Sequence, residues 1–201
     1  WSSDVCSSDL GACAGSCGGV REKRAGNART FVSRLPSLTL RTMSSAATWQ
    51  GRFEEAAACI PWPGVRRWLD VGCGTNPFKG RIANLTGIDP AFDQADYQCT
   101  IEQFESNIKF NVAFCLGSIN FGSEETILRQ IECVVRLLTP RARIYWRCNP
   151  GLKDHGNEHC HEIDFYHWTP HLLTHYAKQF GFGVADLQQD SNNRIYCEWI
   201  R

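Results

Sequence analysis

Two acidic residues bracket a pair of glycines. The segment Leu69-Asp70-Val71-Gly72-Cys73-Gly74-Thr75 carries the first acid, and Asp89 follows nineteen residues later. Glycines that close a short apolar run let a ligand reach the backbone with no side chain in the way. A carboxylate at the end of the next apolar run, Leu85-Thr86-Gly87-Ile88-Asp89, is suited to accept from two neighbouring hydroxyls such as those of a ribose. Together these types and spacings support the binding of a nucleoside-containing cofactor. A nicotinamide dinucleotide site would use the same residues, although its fingerprint wants a third glycine where Asn76 stands. A tight strand-to-helix turn with no ligand would also account for the glycines.

The other concentration of reactive side chains lies further on. All six histidines fall between His155 and His175, and the stretch from Cys148 to Asp164 holds His155, His159, Cys160, His161 and Glu162. Histidine titrates near neutral pH, so His159, His161, Glu162 and Asp164 are candidates for a general base facing a substrate. A metal site built from Cys148, His155, His159 and His161 is an alternative, but its spacing matches no closed zinc pattern. A polar loop with some packed histidines is the third reading. Phe165, Tyr166, Trp168 and the earlier Trp146 suit either an aromatic pocket for a small organic molecule or a core.

These residues need elements to position them. Residues 45–60 carry Trp49, Phe53, Ala56, Ala57 and Ile60 at helical spacing and stop at Pro61-Trp62-Pro63-Gly64. Trp68–Val71 and Leu85–Ile88 read as short buried strands, with a brief strand near Tyr97 and a brief helix at Glu102–Phe104 after them. Phe110–Leu116 is a continuous apolar run of the kind buried on both faces of a parallel sheet. Ser123 caps a helix in which Ile127, Leu128, Ile131, Val134, Val135 and Leu138 recur at three and four residues, ending at Thr139-Pro140. Ala142–Trp146 is the next strand. Thr169-Pro170 opens a helix that ends at Gly181, and strands at Val184–Leu187 and Ile195–Ile200 flank the turn Asp190-Ser191-Asn192-Asn193. Strands alternating with helices imply a parallel sheet, and the final tight turn adds one antiparallel strand.

In this setting the glycine segment resembles the first motif of class I S-adenosylmethionine-dependent methyltransferases, and Gly87-Ile88-Asp89 resembles their second. Asn111-Val112-Ala113-Phe114-Cys115-Leu116 is similar to the family's fourth strand, and Thr139–Ile144 to the turn into its fifth. The resemblance covers residues 66–200. It implies an α/β, Rossmann-like, doubly wound and mostly parallel seven-stranded sheet with one antiparallel strand and helices on both faces. It implies S-adenosylmethionine as cofactor, with Gly72, Cys73 and Gly74 facing its methionine part, Asp70 anchoring the amino end, Asp89 holding the ribose and Leu116 beside the transferring methyl. Two departures stand out: Asn76-Pro77 replaces the third glycine, and the short Asp70–Asp89 interval implies a short first crossover helix. The implied reaction is methyl transfer to a small-molecule acceptor; a non-catalytic module that keeps the cofactor is the alternative. After strand four the chain has Leu116-Gly117-Ser118-Ile119-Asn120 rather than the acid-or-asparagine, proline, proline, aromatic pattern of amino-methylating nucleic acid enzymes. A cytosine C5 enzyme needs a thiolate, for which Cys148 is the available position.

Composition sets the remaining bounds. At 201 residues, with 43% hydrophobic and 21% charged, the chain is sized for one core and not two. No run of eighteen apolar residues is present to span a membrane. The eleven cysteines are scattered, with Cys115, Cys133, Cys148 and Cys197 in apolar, strand-like segments rather than spaced along a small loop-rich scaffold, which favours reduced thiols and a cytoplasmic setting. Residues 1–10 back-translate to a string resembling a sequencing-library adapter and are set aside as a cloning or assembly scar. Residues 11–42 are either upstream sequence read in frame or an organellar transit segment, being rich in arginine and serine and holding Glu22 as their one acid. The expected domain is residues 43–201, starting at Met43. Six of the 21 Lys and Arg and three of the 21 Asp and Glu fall before it, leaving a formal charge of about minus three, which disfavours a nucleic acid partner.

Overall fold

A computed structural model describes residues 41–42, 65–149, 165–191 and 193–201. The strands are β1 (Arg41–Thr42), β2 (Trp68–Val71), β3 (Leu85–Ile88), β4 (Phe110–Leu116), β5 (Leu138–Cys148), β6 (Gly183–Gln189) and β7 (Ile195–Ile200). Two helices are described, α1 (Glu124–Arg136) and α2 (Pro170–Gln179). The sheet order is β1-β6-β7-β5-β4-β2-β3, and β7 alone runs antiparallel to its neighbours. Strand order reverses between β2 and β4, since β3 extends the sheet on one side of β2 while β4 and β5 extend it on the other. In open α/β sheets the crevice for a ligand forms at such a reversal, beyond the carboxyl ends of the strands.

Alternation along the strands divides the interior into two cores. Leu69, Val71, Ala113, Cys115, Ile144, Trp146, Cys197 and Trp199 face one side, where Ile127, Ile131 and Val134 of α1 and Leu173, Tyr176 and Ala177 of α2 cover them. Trp68, Val112, Phe114, Tyr145 and Tyr196 face the other, packed with Phe78 and Ile82. Because β4 is buried on both faces, its sequence shows no polar alternation. Both helices are capped as their sequences suggest: the Ser123 hydroxyl accepts from the Thr126 amide, and the Thr169 hydroxyl from the Leu172 amide. Pro140 lies inside β5, at an irregularity where the register with β4 jumps from Leu138 to Arg143, so no ladder bond is lost to its missing N–H.

Both described helices lie on one face; the opposite face is covered, among the described residues, by Phe78 and Ile82 from a run of turns, and the helix expected over residues 45–60 falls outside the described residues, so the expectation of helices on both faces stays an expectation. Several expectations are corrected. The first crossover is not a short helix. Gly72, Gly74, Asn76, Gly80 and Asn84 all have positive φ, and a helix cannot form through so many left-handed positions. Pro77 further removes an amide donor. The strand near Tyr97 is a single bridge to Ile88, and Glu102–Phe104 lies in a turn closed by Phe104 N–H to Thr100 O at 3.0 Å. Six strands of four or more residues therefore form the sheet, and its seventh member is the two-residue β1 beside β6, not a third strand beyond β3.

Candidate functional site

The glycine turn is pinned from two sides. Both the Gly72 and Cys73 amides donate to the Ile88 carbonyl, at 2.8 and 3.0 Å, folding the end of β2 across the end of β3. Gly72 has φ +66, and a Cβ there would stand 2.3 Å from Ser118 Cβ, so the loop after β4 rests directly against it. Only glycine satisfies both demands. Gly74 differs: its φ is +55, yet a Cβ would meet nothing within 4 Å, so this side of the turn faces open space.

Asn76 explains how the chain manages without the third glycine. It takes φ +55, a left-handed conformation that asparagine tolerates better than most residues. Its amide lies over Gly87, where a Cβ would come within 2.9 Å of it, and donates to the Gln94 carbonyl at 3.2 Å. Cys73 Sγ crowds the same glycine. Burial, with Asp70 and Asp89 nearby, pushes the Cys73 thiol up to about 12, so it remains protonated at neutral pH.

The two acids are brought together but differ in their hydrogen bonding. Asp89 accepts from the Gly74 amide at 3.0 Å through one oxygen, and from the Ala91 and Phe92 amides at 2.8 and 3.2 Å through the other. Three donors satisfy most of a carboxylate's four lone-pair sites. Asp70 is 3% exposed, and its carboxylate has no hydrogen-bond partner among the described residues. Burial first, and Asp89 second, push it up to about 7, against the opposing pull of Arg147. A buried carboxyl with only a distant cation to offset it is unfavourable in its charged form unless a further group completes it.

Leu116 ends β4, half-buried, at the same edge. Beyond it Gly117 takes φ +114, and Arg147 of β5 lies so close that a Cβ there would be 2.8 Å from its guanidinium. The sequence reading missed Arg147. Its signal is a lone cation between Trp146 and Cys148 in an otherwise apolar strand end, and alternation turns it to the face opposite theirs.

Among the catalytic candidates, His159, His161, Glu162 and Asp164 lie outside the described residues, as does His155. The chain that follows them returns to the loop after β4: Phe165 bridges Phe121, the Tyr166 amide donates to Asn120 O at 2.7 Å, and Trp168 Nε1 donates to Ile119 O at 2.9 Å. Trp146 and Trp168 are fully buried, with ring centroids 6.0 Å apart, and Phe165 is buried too, so these aromatics belong to the core. Cys148 and Cys115 are buried, and burial raises both thiols well above their ordinary value, which argues against a thiolate nucleophile. No helix among the described residues is long and apolar enough to cross a membrane.

No family profile matches the chain, and no curated protein matches it by sequence. Solved structures do. Magnesium protoporphyrin IX methyltransferase from Synechocystis, with S-adenosylmethionine bound, is 15% identical over 77% of this chain and 77% of its own, with a TM-score of 0.56. The 1,6-didemethyltoxoflavin-N1-methyltransferase of Burkholderia thailandensis, with S-adenosylhomocysteine bound, is 13% identical over 68% of this chain and 72% of its own, at 0.55. A sugar N-methyltransferase from Streptoalloteichus is 14% identical over 77% and 86%, also at 0.55. The chain therefore shares the fold of these methyltransferases.

Proposed function

We propose that the chain is an S-adenosylmethionine-dependent methyltransferase acting on a small-molecule acceptor. The observation that carries this reading is Asp70: a buried carboxyl without a hydrogen-bond partner among the described residues, at the strand reversal, beside a glycine turn whose Gly74 side is open. The donor set fits the cofactor. Asp70 would receive its ammonium group, removing the cost of leaving a buried carboxylate uncompensated. Gly74 leaves room for close approach along the backbone. Asp89 holds the turn through the Gly74 amide and retains about one lone-pair site for a ribose hydroxyl. Leu116 and Gly117 stand at the adjoining strand end, where the acceptor would meet the methyl group.

When bound, the cofactor supplies a methyl group already activated by its sulfonium. The protein's own contribution is then orientation and exclusion of water, which converts a bimolecular encounter into a positioned one. A base is required only for an acceptor that must lose a proton, a role for which His159, His161, Glu162 and Asp164 are proposed on sequence position alone. The small-molecule class is supported by the acceptors named for the structural neighbours and by the slightly acidic charge from Met43 onward, which suits a polyanion poorly.

Calorimetric titration of the full chain with S-adenosylmethionine, S-adenosylhomocysteine and NAD tests the reading. Micromolar binding of the first two with none of NAD is the expected result. Preference for NAD, or no binding of any of the three, overturns it.

A further inference from the structure

On one face of β5, two arginines four residues apart meet different fates. Arg143 has its acid, an ion pair with Glu198 on the adjacent β7. Arg147 has none: among the described residues no carboxylate lies within ion-pair distance of its guanidinium, and no hydrogen bond to it is found. The charge of Asp190 reaches Arg147 only at a distance, and its carboxylate accepts from the Arg194 amide at 2.9 Å and the Tyr196 hydroxyl at 3.1 Å. A half-buried guanidinium offers five donors, and leaving them without acceptors away from water is unfavourable.

Its place in the sheet gives those donors a direction. Arg147 stands opposite Leu116 in register, and Asp70 opposite Phe114, so both side chains leave the sheet on the same face with one strand, β4, between them. Each sits at the carboxyl end of its own strand. Gly117 keeps the way clear, because any side chain there would collide with the guanidinium at 2.8 Å, and its φ of +114 excludes most other residues anyway. Across the gap Arg147 draws the Asp70 carboxyl slightly back down, against the larger effects of burial and Asp89.

We propose that Arg147 is a carboxylate-binding residue and that, with Asp70, it recognises an α-amino acid group at two points: Asp70 takes the ammonium and Arg147 the carboxylate. The arrangement matches a zwitterion, with an anion and a cation held apart on one face and, among the described residues, neither hydrogen-bonded nor ion-paired to a counterpart. This rests on the cofactor reading above, since the methionine part of S-adenosylmethionine carries such a group. The guanidinium fork also suits a carboxylate better than a point charge does.

Calorimetric titration of the full chain with S-adenosylhomocysteine and with its decarboxylated analogue, S-adenosyl-3-thiopropylamine, provides the test. The wild-type protein is expected to bind the first about 10- to 100-fold more tightly, the range of one charge-assisted contact. Arg147→Met, which keeps the length and apolar stem, is expected to bind both alike, and Arg147→Lys to recover only part of the difference. Thermal unfolding of both variants, expected within a few degrees of wild type, checks the fold. Should wild type bind both ligands equally, or Arg147→Met keep the wild-type preference, the carboxylate assignment is overturned while the cofactor reading survives. Should wild type bind neither ligand, the cofactor reading itself falls.

Discussion

Two stretches of the sheet are built on opposite principles. Residues 110–148 form β4, α1 and β5 from apolar periodicity, a capped helix and strands buried on both faces. Residues 68–89 connect two parallel strands without a helix, through left-handed residues, backbone amides folded onto Ile88 O, and the Asp89 carboxylate clasping Gly74. The first stretch gains its stability from surface removed from water. The second also buries Leu69, Val71, Phe78 and Ile82, but it holds its turn by backbone and carboxylate hydrogen bonds and keeps the Asp70 carboxyl without a hydrogen-bond partner among the described residues, an unfavourable local arrangement. The proposed cofactor site falls where the chain accepts unfavourable local terms.

Mutations at matched positions should separate the two. Ile131→Ala in α1 empties a fully buried site and should cost about 3–4 kcal/mol in urea unfolding, while S-adenosylhomocysteine affinity changes less than about two-fold in protein that remains folded. Gly72→Ala should cost about 2–3 kcal/mol, combining left-handed strain with the collision at Ser118. Gly74→Ala meets only the strain, about 1 kcal/mol, but places a methyl group on the open side and should weaken S-adenosylhomocysteine binding by more than about ten-fold. A Gly74→Ala protein that binds as wild type would erase the distinction between the two glycines. Smallest of all, Ser123→Ala removes the α1 cap and should cost about 1 kcal/mol without touching affinity.

Acid–base linkage sharpens the same comparison. The Asp70 carboxyl is raised in the folded state from 3.8 to about 7, so the native protein holds a proton there that the unfolded chain has already lost. Stability from this group is therefore fully present below about pH 4 and declines as pH rises toward 7, by an amount on the order of 4 kcal/mol. Asp70→Asn should abolish that decline, which urea unfolding at pH 5 and pH 8 would reveal as a flat profile. A wild-type profile already flat across this range would show that Asp70 is compensated.

Legibility followed the same division. The β4 run, the Ser123 cap and the period of α1 were readable because burial on both faces, side-chain capping and helical spacing each leave a mark within a few residues. Asp70, Gly72, Gly74 and Asp89 were readable as a cluster because turn chemistry and strand ends fix where they meet. The crossover was misread because a strand-to-strand interval suggests a helix by default, whereas Asn76-Pro77 and Asn84 force turns whose left-handed asparagines look in sequence like ordinary polar residues. The third strand and its short helix failed for want of periodicity, leaving one bridge at Tyr97. Arg147 could not be found locally at all, since its meaning depends on the register that sets it opposite Leu116 and two residues beyond the Asp70 level.

The most direct measurement is the pH dependence of S-adenosylhomocysteine affinity in wild type and Asp70→Asn, by calorimetry at pH 6 and pH 8. An ammonium group held by an ionised Asp70 predicts about ten-fold tighter wild-type binding at the higher pH, as the carboxyl loses its proton near 7, and weak, pH-independent binding in the variant. Equal affinity at both pH values, unchanged by Asp70→Asn, would contradict the assignment of this carboxylate to the cofactor.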